Sequence, residues 1–161
     1  MSFFDYPNEP PASAGNASVL LVDASEEEWA TLLAHTRSRR FGPGDAIVTA
    51  GAADQSLYLV LEGQLEVLAP ATGRGRRGYR RLASVAAGSV IGELSFFDGG
   101  GRSALVRAVT PAVLAEMSRS EFDALATASP DLARRLLFDL GRILAHRLRT
   151  AVQAETIAGV N

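Results

Sequence analysis

Hydrophobic and polar residues alternate with a period of two through the middle of the chain. In the run from 57 to 62 every second residue is leucine, and Gly63 and Gln64 then turn the chain into a second run at 65–67. A period of two is typical of strands, and glycines at regular intervals predict the turns between them. The pattern predicts a mainly β fold with added helices: an antiparallel β-roll or jelly-roll barrel over about 37–118.

Helices are predicted on both sides of this barrel. Ser25 is followed three positions later by Glu28, the arrangement of a capping box, and an apolar face begins directly behind it. A second helix is predicted to begin at Ser118 or Ser120 and to run to Ala128. These two helices flank the strands in sequence and are expected to flank them in space.

The last predicted helix is long, from about 130 to 157. Ser129 suits its N-cap and Pro130 its first helical position. Apolar residues follow in steps of three and four and form a wide stripe: Leu132, Leu136, Leu137, Leu140, Ile143, Leu144, Leu148 and Val152. One edge of the stripe can cover the barrel. The other edge either packs within the same chain or forms a homodimer with a second copy, and we favour the homodimer.

Composition bounds the class of protein. The 161 residues suit a single domain, which we place at 19–161 behind a proline-containing, flexible arm at 1–18. The net charge of −2 gives no general attraction to nucleic acid or membrane. Cysteine is absent, which excludes disulfides and thiolate chemistry. All 16 basic residues are arginine, which we attribute to a GC-rich coding sequence.

Localisation and catalysis are constrained by what the sequence lacks. No apolar run approaches the ~18 residues of a membrane span. The N-terminus has no signal-peptide pattern, so we expect a cytoplasmic protein. His35 and His146 lie outside the predicted strands and 111 positions apart, so no metal site is expected. No nucleophile elbow, P-loop or dinucleotide fingerprint is present, and we expect no enzymatic activity.

The segment 92–108, GELSFFDGGGRSALVRA, carries the candidate chemistry. A glycine that opens a short helical turn leaves backbone N–H groups suited to an anion. Arg102, nine positions after Glu93, can neutralise that anion from the following strand, predicted over 105–109. Glu93 itself is an acceptor suited to a sugar hydroxyl. Together these residue types indicate a pocket for a small nucleotide.

This segment resembles the phosphate-binding cassette of the cyclic nucleotide-binding domain family, to which bacterial catabolite activators and regulatory subunits of cAMP-dependent protein kinase belong. The family pattern, G-E-[LI] and then R-x-A, is matched by Gly92, Glu93 and Leu94 and by Arg102, Ser103 and Ala104. The runs FGPGDAIV at 41–48 and GAADQSLYLVLEGQLEV at 51–67 are similar to the family's earlier strands and turns. The resemblance covers roughly residues 25–150.

The resemblance implies which residues bind the ligand. Glu93 would bind the ribose 2′-OH, while Arg102, Ser103 and the cassette amides would bind the cyclic phosphate. For the base, the family uses polar residues of the final helix. One alignment puts these at 150–152 and favours Thr150, and an ungapped one puts them at Arg147 and Leu148. Val90 and Leu82 are an apolar shelf for the base or plain core.

Ligand and partner are also implied only by the resemblance. We expect cAMP, with cGMP or another nucleotide as alternatives, and with a non-binding docking scaffold as a further one. The chain leaves no room after about 157 for a helix-turn-helix module, so we expect no sequence-specific DNA binding and an unknown effector protein instead. The basic hairpin at 74–81 is a solvated turn or an electrostatic patch for an acidic partner. No cofactor is expected.

Overall fold

The computed structural model describes residues 20–71 and 78–158, with side chains to 153. The flexible arm predicted at 1–18 and the first half of the basic hairpin, 74–77, lie outside the described residues. The elements, in chain order, are α1 (Glu26–Ala34), β1 (Arg37–Phe41), β2 (Ala46–Val48), β3 (Leu57–Glu62), β4 (Gln64–Pro70), β5 (Tyr79–Ala86), β6 (Val90–Ile91), α2 (Glu93–Asp98), β7 (Leu105–Ala108), β8 (Ala112–Met117), α3 (Arg119–Ala128) and α4 (Pro130–Ala158).

The strands form two antiparallel sheets of four, which confirms the predicted mainly β fold with helices. One sheet has the order β1-β8-β3-β6 and the other β2-β7-β4-β5. The hairpin predicted at Gly63 joins the sheets, because β3 belongs to the first and β4 to the second. Strand β7 ends at Ala108, one residue earlier than the predicted end at 109, and the side chain of Val109 is exposed.

Strand β3 is buried on both faces. Leu57 and Leu59 belong to a hydrophobic cluster shared with the helices, whereas Tyr58 and Val60 belong to the cluster between the two sheets. The alternation that predicted a strand therefore separates two cores rather than a core from solvent. This double burial fixes the register of β3, because a slip of one residue would exchange every side chain between the two clusters.

The helices begin where their caps predict. Ser25 and Ser118 each accept a hydrogen bond from the backbone amide three residues on, and the carboxylates of Glu28 and Glu121 each accept one from the cap amide. Helix α4 begins at Pro130 and packs its first half into the helical core through Leu132, Leu136, Leu140 and Ile143. No helix in 20–71 or 78–158 is long and apolar enough to cross a membrane.

Replacing Gly63 by alanine should destabilise the protein well beyond the same change at Gly44. Both glycines have φ near +90°, so each alanine incurs the same backbone strain of about 1–2 kcal/mol. At Gly63 the new Cβ would also collide with the carbonyl oxygen of Pro111 and lie 2.8 Å from the Cα of Ala112, whereas at Gly44 it would meet nothing within 4 Å. Urea unfolding of both variants measures the difference. Equal losses of unfolding free energy would contradict it.

Candidate functional site

Gly92 sets the geometry of the site because it lies between a strand and the short helix α2. Its φ of 82° is in the left-handed region that favours glycine. A Cβ at this position would collide with Nη1 of Arg102 and lie 2.7 Å from the carbonyl oxygen of Ser56. Only a residue without a side chain therefore lets the guanidinium reach this backbone. The first-turn amides of α2 have no acceptor within the helix.

Arg102 is the buried cation of the site, with 4% of its surface exposed. Nη1 donates to the carbonyl oxygen of Gly92 at 3.1 Å, and Nη2 donates to that of Ser56 at 2.6 Å and to the carboxylate of Asp54. The guanidinium also lies 5.7 Å from the ring centroid of Tyr58. Among the residues that the structure describes, its Nε is buried without an acceptor. One donor of a buried cation is thus left unused.

The carboxylate of Asp54, at the exposed edge of the site, balances the charge of Arg102. Partial burial acts to raise the pKa of Asp54, but hydrogen bonds from Arg102 and from the Ser56 amide outweigh it and hold that pKa below its usual value. The hydroxyl of Tyr58 lies 3.3 Å from both Asp54 and Glu116. Burial, and then these two negative charges, raise the pKa of Tyr58. The phenol therefore stays a neutral donor between two carboxylates.

Glu93 is the buried anion of the site, with 2% of its surface exposed. Its carboxylate accepts a hydrogen bond from Nη1 of Arg147, which reaches it from α4. Nη2 of Arg147 donates to the carbonyl oxygen of Val90 at 2.9 Å. A single arginine of the final helix thus contacts both the carboxylate and the strand β6 that leads to it.

A small cavity lies between these groups. Its volume is about 20 Å³, roughly the room for one water molecule. Polar atoms come from the cassette, and the apolar wall comes from strands of the second sheet and from Ile91. The lining residues are Val48, Val67, Ile91, Gly92, Glu93, Leu94, Ser95, Arg102, Ser103, Ala104 and Val106. A cation, a carboxylate and an apolar wall suit a ligand that combines an anionic group, hydroxyls and a flat apolar part.

Six of the nine predicted site residues line this cavity: Gly92, Glu93, Leu94, Arg102, Ser103 and Ala104. Three do not. Leu82 lies in the core between the sheets and Val90 in the helical core. Thr150 donates its hydroxyl to the carbonyl oxygen of His146 within α4.

Sequence reasoning missed part of the site. Arg147 donates to Glu93, a contact that was not predicted, since the ungapped alignment named Arg147 only as a residue for the base. Asp54 was not anticipated, because nothing in its local pattern marks it as the partner of an arginine 48 positions away. Within 20–71 and 78–158 no three His, Cys, Asp or Glu side chains are grouped so as to hold a metal ion.

The segment 92–108 lies within a part of the chain that matches a known protein family. A family profile described as cyclic nucleotide-binding domain matches residues 38–129. The chain is 32% identical over 134 residues to the cyclic AMP receptor protein of Thermus thermophilus, covering 83% of this chain and 59% of that protein. It is 30% identical over 132 residues to glutaminase 2 of Bradyrhizobium diazoefficiens, covering 82% of this chain and 20% of that protein. The chain thus spans only part of both curated relatives.

A solved structure gives a similar result. The crystal structure of a cyclic nucleotide-binding domain from Methylobacillus flagellatus superposes with a TM-score of 0.74 at 29% identity. The match covers 86% of this chain and 76% of that one.

The ion pair of Asp54 should make a contribution to stability that disappears in acid. Because the pKa of Asp54 is lower in the folded protein than in the unfolded chain, its contribution is full above about pH 4 and is lost as the pH falls through the folded-state value. The advantage of the wild type over Asp54→Asn in unfolding free energy should therefore shrink as the pH falls below about 4.

Urea unfolding across this pH range measures that advantage. Asp123→Asn is the control for the loss of one surface charge, since Asp123 pairs with Arg119 on the exposed face of α3. A difference between wild type and Asp54→Asn that does not change with pH would contradict the prediction.

Proposed function

The chain belongs to the cyclic nucleotide-binding domain family, and from that premise we propose that it is a sensor of cAMP that passes its occupancy to an effector protein. One observation carries the proposal. The guanidinium of Arg102, buried and with Nε lacking an acceptor among the described residues, lines the same cavity as the buried carboxylate of Glu93. A buried unused donor beside a buried acceptor calls for a ligand that offers both an anion and a hydroxyl.

A cyclic nucleotide has those two groups on one rigid ring system. The phosphate is an acceptor for Arg102, for the hydroxyl of Ser103 and for the first amides of α2. The ribose 2′-OH is a donor for Glu93. The phosphate is ionised at neutral pH, so its pairing with a water-excluded arginine is a charge-assisted contact of about 1.5–3 kcal/mol.

A change of conformation on binding is what would make this site a sensor rather than a passive pocket. The enclosed part of the cavity, about 20 Å³, is smaller than a nucleotide. We therefore propose that the ligand binds a second conformation, in which the cassette and α4 shift together and the final helix closes over the base. The ligand shifts the balance between the two conformations by its preference for the closed one.

The choice of cAMP is supported by likeness alone. The relative at 32% identity is described as a cyclic AMP receptor protein. cGMP, another nucleotide, or retention of the fold as a docking scaffold are the alternatives. Titration with both cyclic nucleotides distinguishes cAMP from cGMP, and binding of neither would leave the last two. The proposed activity is binding and regulation, with no catalytic step.

We further propose that the protein forms a homodimer along α4. Phe138, Gly141, Ala145 and Leu148 follow in steps of three, four and three and are all exposed, Phe138 by 72% and Leu148 by 50%. This is the spacing of a coiled-coil seam, and the glycine and alanine permit close approach of a second helix. An exposed apolar strip of this kind can pair with the same strip of a second copy about a two-fold axis, so a second copy of this chain is its proposed occupant.

Arg102→Ala should abolish cyclic nucleotide binding. Leaving a buried phosphate unpaired costs ~2–5 kcal/mol, or roughly 30- to several-thousand-fold in Kd. Isothermal titration with cAMP and then cGMP measures this. Arg107→Ala is the matched control, since Arg107 lies on the next strand, is exposed and pairs with Glu66.

Arg102→Lys serves as a second variant if the alanine variant fails to fold. It keeps the charge, loses the two-pronged geometry and should bind more weakly than wild type. Folded wild-type protein that binds neither nucleotide, or Arg102→Ala that binds as well as wild type, would overturn the assignment.

Phe138→Glu should convert the dimer to a monomer, because it places a charge in the middle of an apolar seam. Sedimentation at micromolar concentration gives the mass of each species. Val109→Glu is the control, since Val109 is exposed in the connection between β7 and β8 rather than on a helix. A wild type that sediments as a monomer would contradict the prediction.

A further inference from the structure

An apolar groove lies between α1, strand β3 and the turn that joins β5 to β6. Its volume is about 230 Å³, against about 20 Å³ for the cavity that Arg102 and Glu93 line. Apart from the turn at 88–89, the groove is lined by apolar side chains: Leu20, Trp29, Leu59, Val60 and Leu61. An apolar cavity of about 150 Å³ is enough to bind benzene. The groove therefore has room for an aromatic ring.

Two side chains of the groove keep apolar surface exposed. Trp29 and Leu61 pack against the helical core but are only partly buried, whereas Leu20, Leu59 and Val60 are at most 3% exposed. Water gains no hydrogen bond from these apolar side chains, so covering them is favourable. The exposed surface of Trp29 and Leu61 thus favours an apolar occupant over water.

The chain enters the described structure at the wall of this groove. Leu20, the first described residue, lines the groove, and its amide donates to the carbonyl oxygen of Gly88 at 3.2 Å. The next amide, that of Leu21, donates to the carboxylate of Asp139 at 2.7 Å. Leu21 has a φ of 49°, in the left-handed region that leucine rarely adopts. These contacts fix Leu20, so residues 1–19 are attached to the protein beside the groove.

The sequence of this N-terminal segment supplies aromatic rings. Phe3, Phe4 and Tyr6 lie within four positions, and no side chain from 7 to 18 is aromatic or branched aliphatic. The connection from Tyr6 to Leu20 spans up to about 45 Å when extended, which is ample for a return to the groove. The entropy cost of closing such a loop rises only slowly with its length. Three prolines in the connection lower the cost further, because they restrict the undocked chain.

We propose that the groove is the docking site of the chain's own N-terminal segment, with Phe3 and Phe4 covering Trp29 and Leu61. Phenylalanine suits an apolar groove better than Tyr6, whose hydroxyl needs a partner. A segment attached at the groove wall has an effective concentration on the order of millimolar, which a second copy or another protein has to exceed. Docking orders the end of an arm that its composition alone predicts to be flexible.

The docking site is separate from the proposed nucleotide site. The groove and the cavity of Arg102 share no lining residue. Trp29 lies in the groove and is the one tryptophan of the chain, so its fluorescence reports on the groove directly. The docking can therefore be tested on the full-length protein without any nucleotide.

The test compares full-length wild type with the double variant Phe3→Ser and Phe4→Ser. Loss of the two rings should expose Trp29 to water, shift its emission to longer wavelength and increase its quenching by acrylamide. The matched control is the double variant Asn8→Ser and Glu9→Ser, which changes two polar residues of the same segment and should behave as wild type. Emission and quenching that are the same in wild type and in the phenylalanine variant would overturn the proposal.

A cross-link locates the segment independently of fluorescence. The chain has no cysteine, so a disulfide in the variant Asp5→Cys with Ser89→Cys can join only the introduced pair. Ser89 lines the groove, and a disulfide requires the two Cα atoms to lie within about 7 Å. Asp5→Cys with Ser84→Cys is the control, since Ser84 is exposed on β5 and does not line the groove.

Mild oxidation should link Asp5→Cys to Ser89→Cys within one chain, and faster than it links Asp5→Cys to Ser84→Cys. Non-reducing electrophoresis and mass spectrometry of the linked peptides give the rate and the connectivity. Equal rates for the two pairs would contradict docking in the groove. A disulfide that joins two chains would assign the groove to the segment of a second copy and overturn the proposal for the chain's own segment.

Discussion

A buried guanidinium, that of Arg102, is the constraint on which the rest of the site depends. It joins three parts of the chain that are distant in sequence: the turn before α2, the approach to β3 and the approach to β7. Its donors reach the carbonyl oxygens of Gly92 and Ser56 and the carboxylate of Asp54. Loss of these acceptors would leave a charge buried at Arg102 without its partners, which is strongly unfavourable. The absence of a side chain at Gly92 follows from this requirement.

Stability alone does not explain such a residue. Replacing a buried ion pair by well-packed apolar side chains is often neutral or stabilising. Here the Nε of Arg102 is buried and has no acceptor among the described residues. Its burial therefore costs desolvation free energy that no hydrogen bond offsets. A second buried charge, Glu93, lies in the same cavity and is held by a different element. Two buried charges, each held from elsewhere in the chain, support the proposed ligand-binding role of this cavity.

Most of the fold was predictable because its determinants are local. The capping boxes at Ser25 and Ser118 are decided by residues three positions apart, and the strand pattern by alternate residues. The cassette residues were predictable from a resemblance confined to one segment. The contact between Arg147 and Glu93 was not predicted. It depends on the rotation of α4, 54 residues downstream, and the side-chain pattern along that helix does not encode this. The pairing of Asp54 with Arg102 was not predicted either, because it joins residues 48 positions apart.

The exposed seam of α4 has a consequence for how two sites would communicate. Arg147, which touches Glu93, is the immediate neighbour of Leu148, which is half exposed in the seam. In a two-fold symmetric pair, a rotation of one helix that withdraws Arg147 also moves Leu148 against its counterpart in the partner. The energy of filling the first site would then differ from that of filling the second. The binding curve for the nucleotide would then be steeper or shallower than a simple hyperbola. The cooperativity between the two sites would depend on two adjacent residues, Arg147 and Leu148.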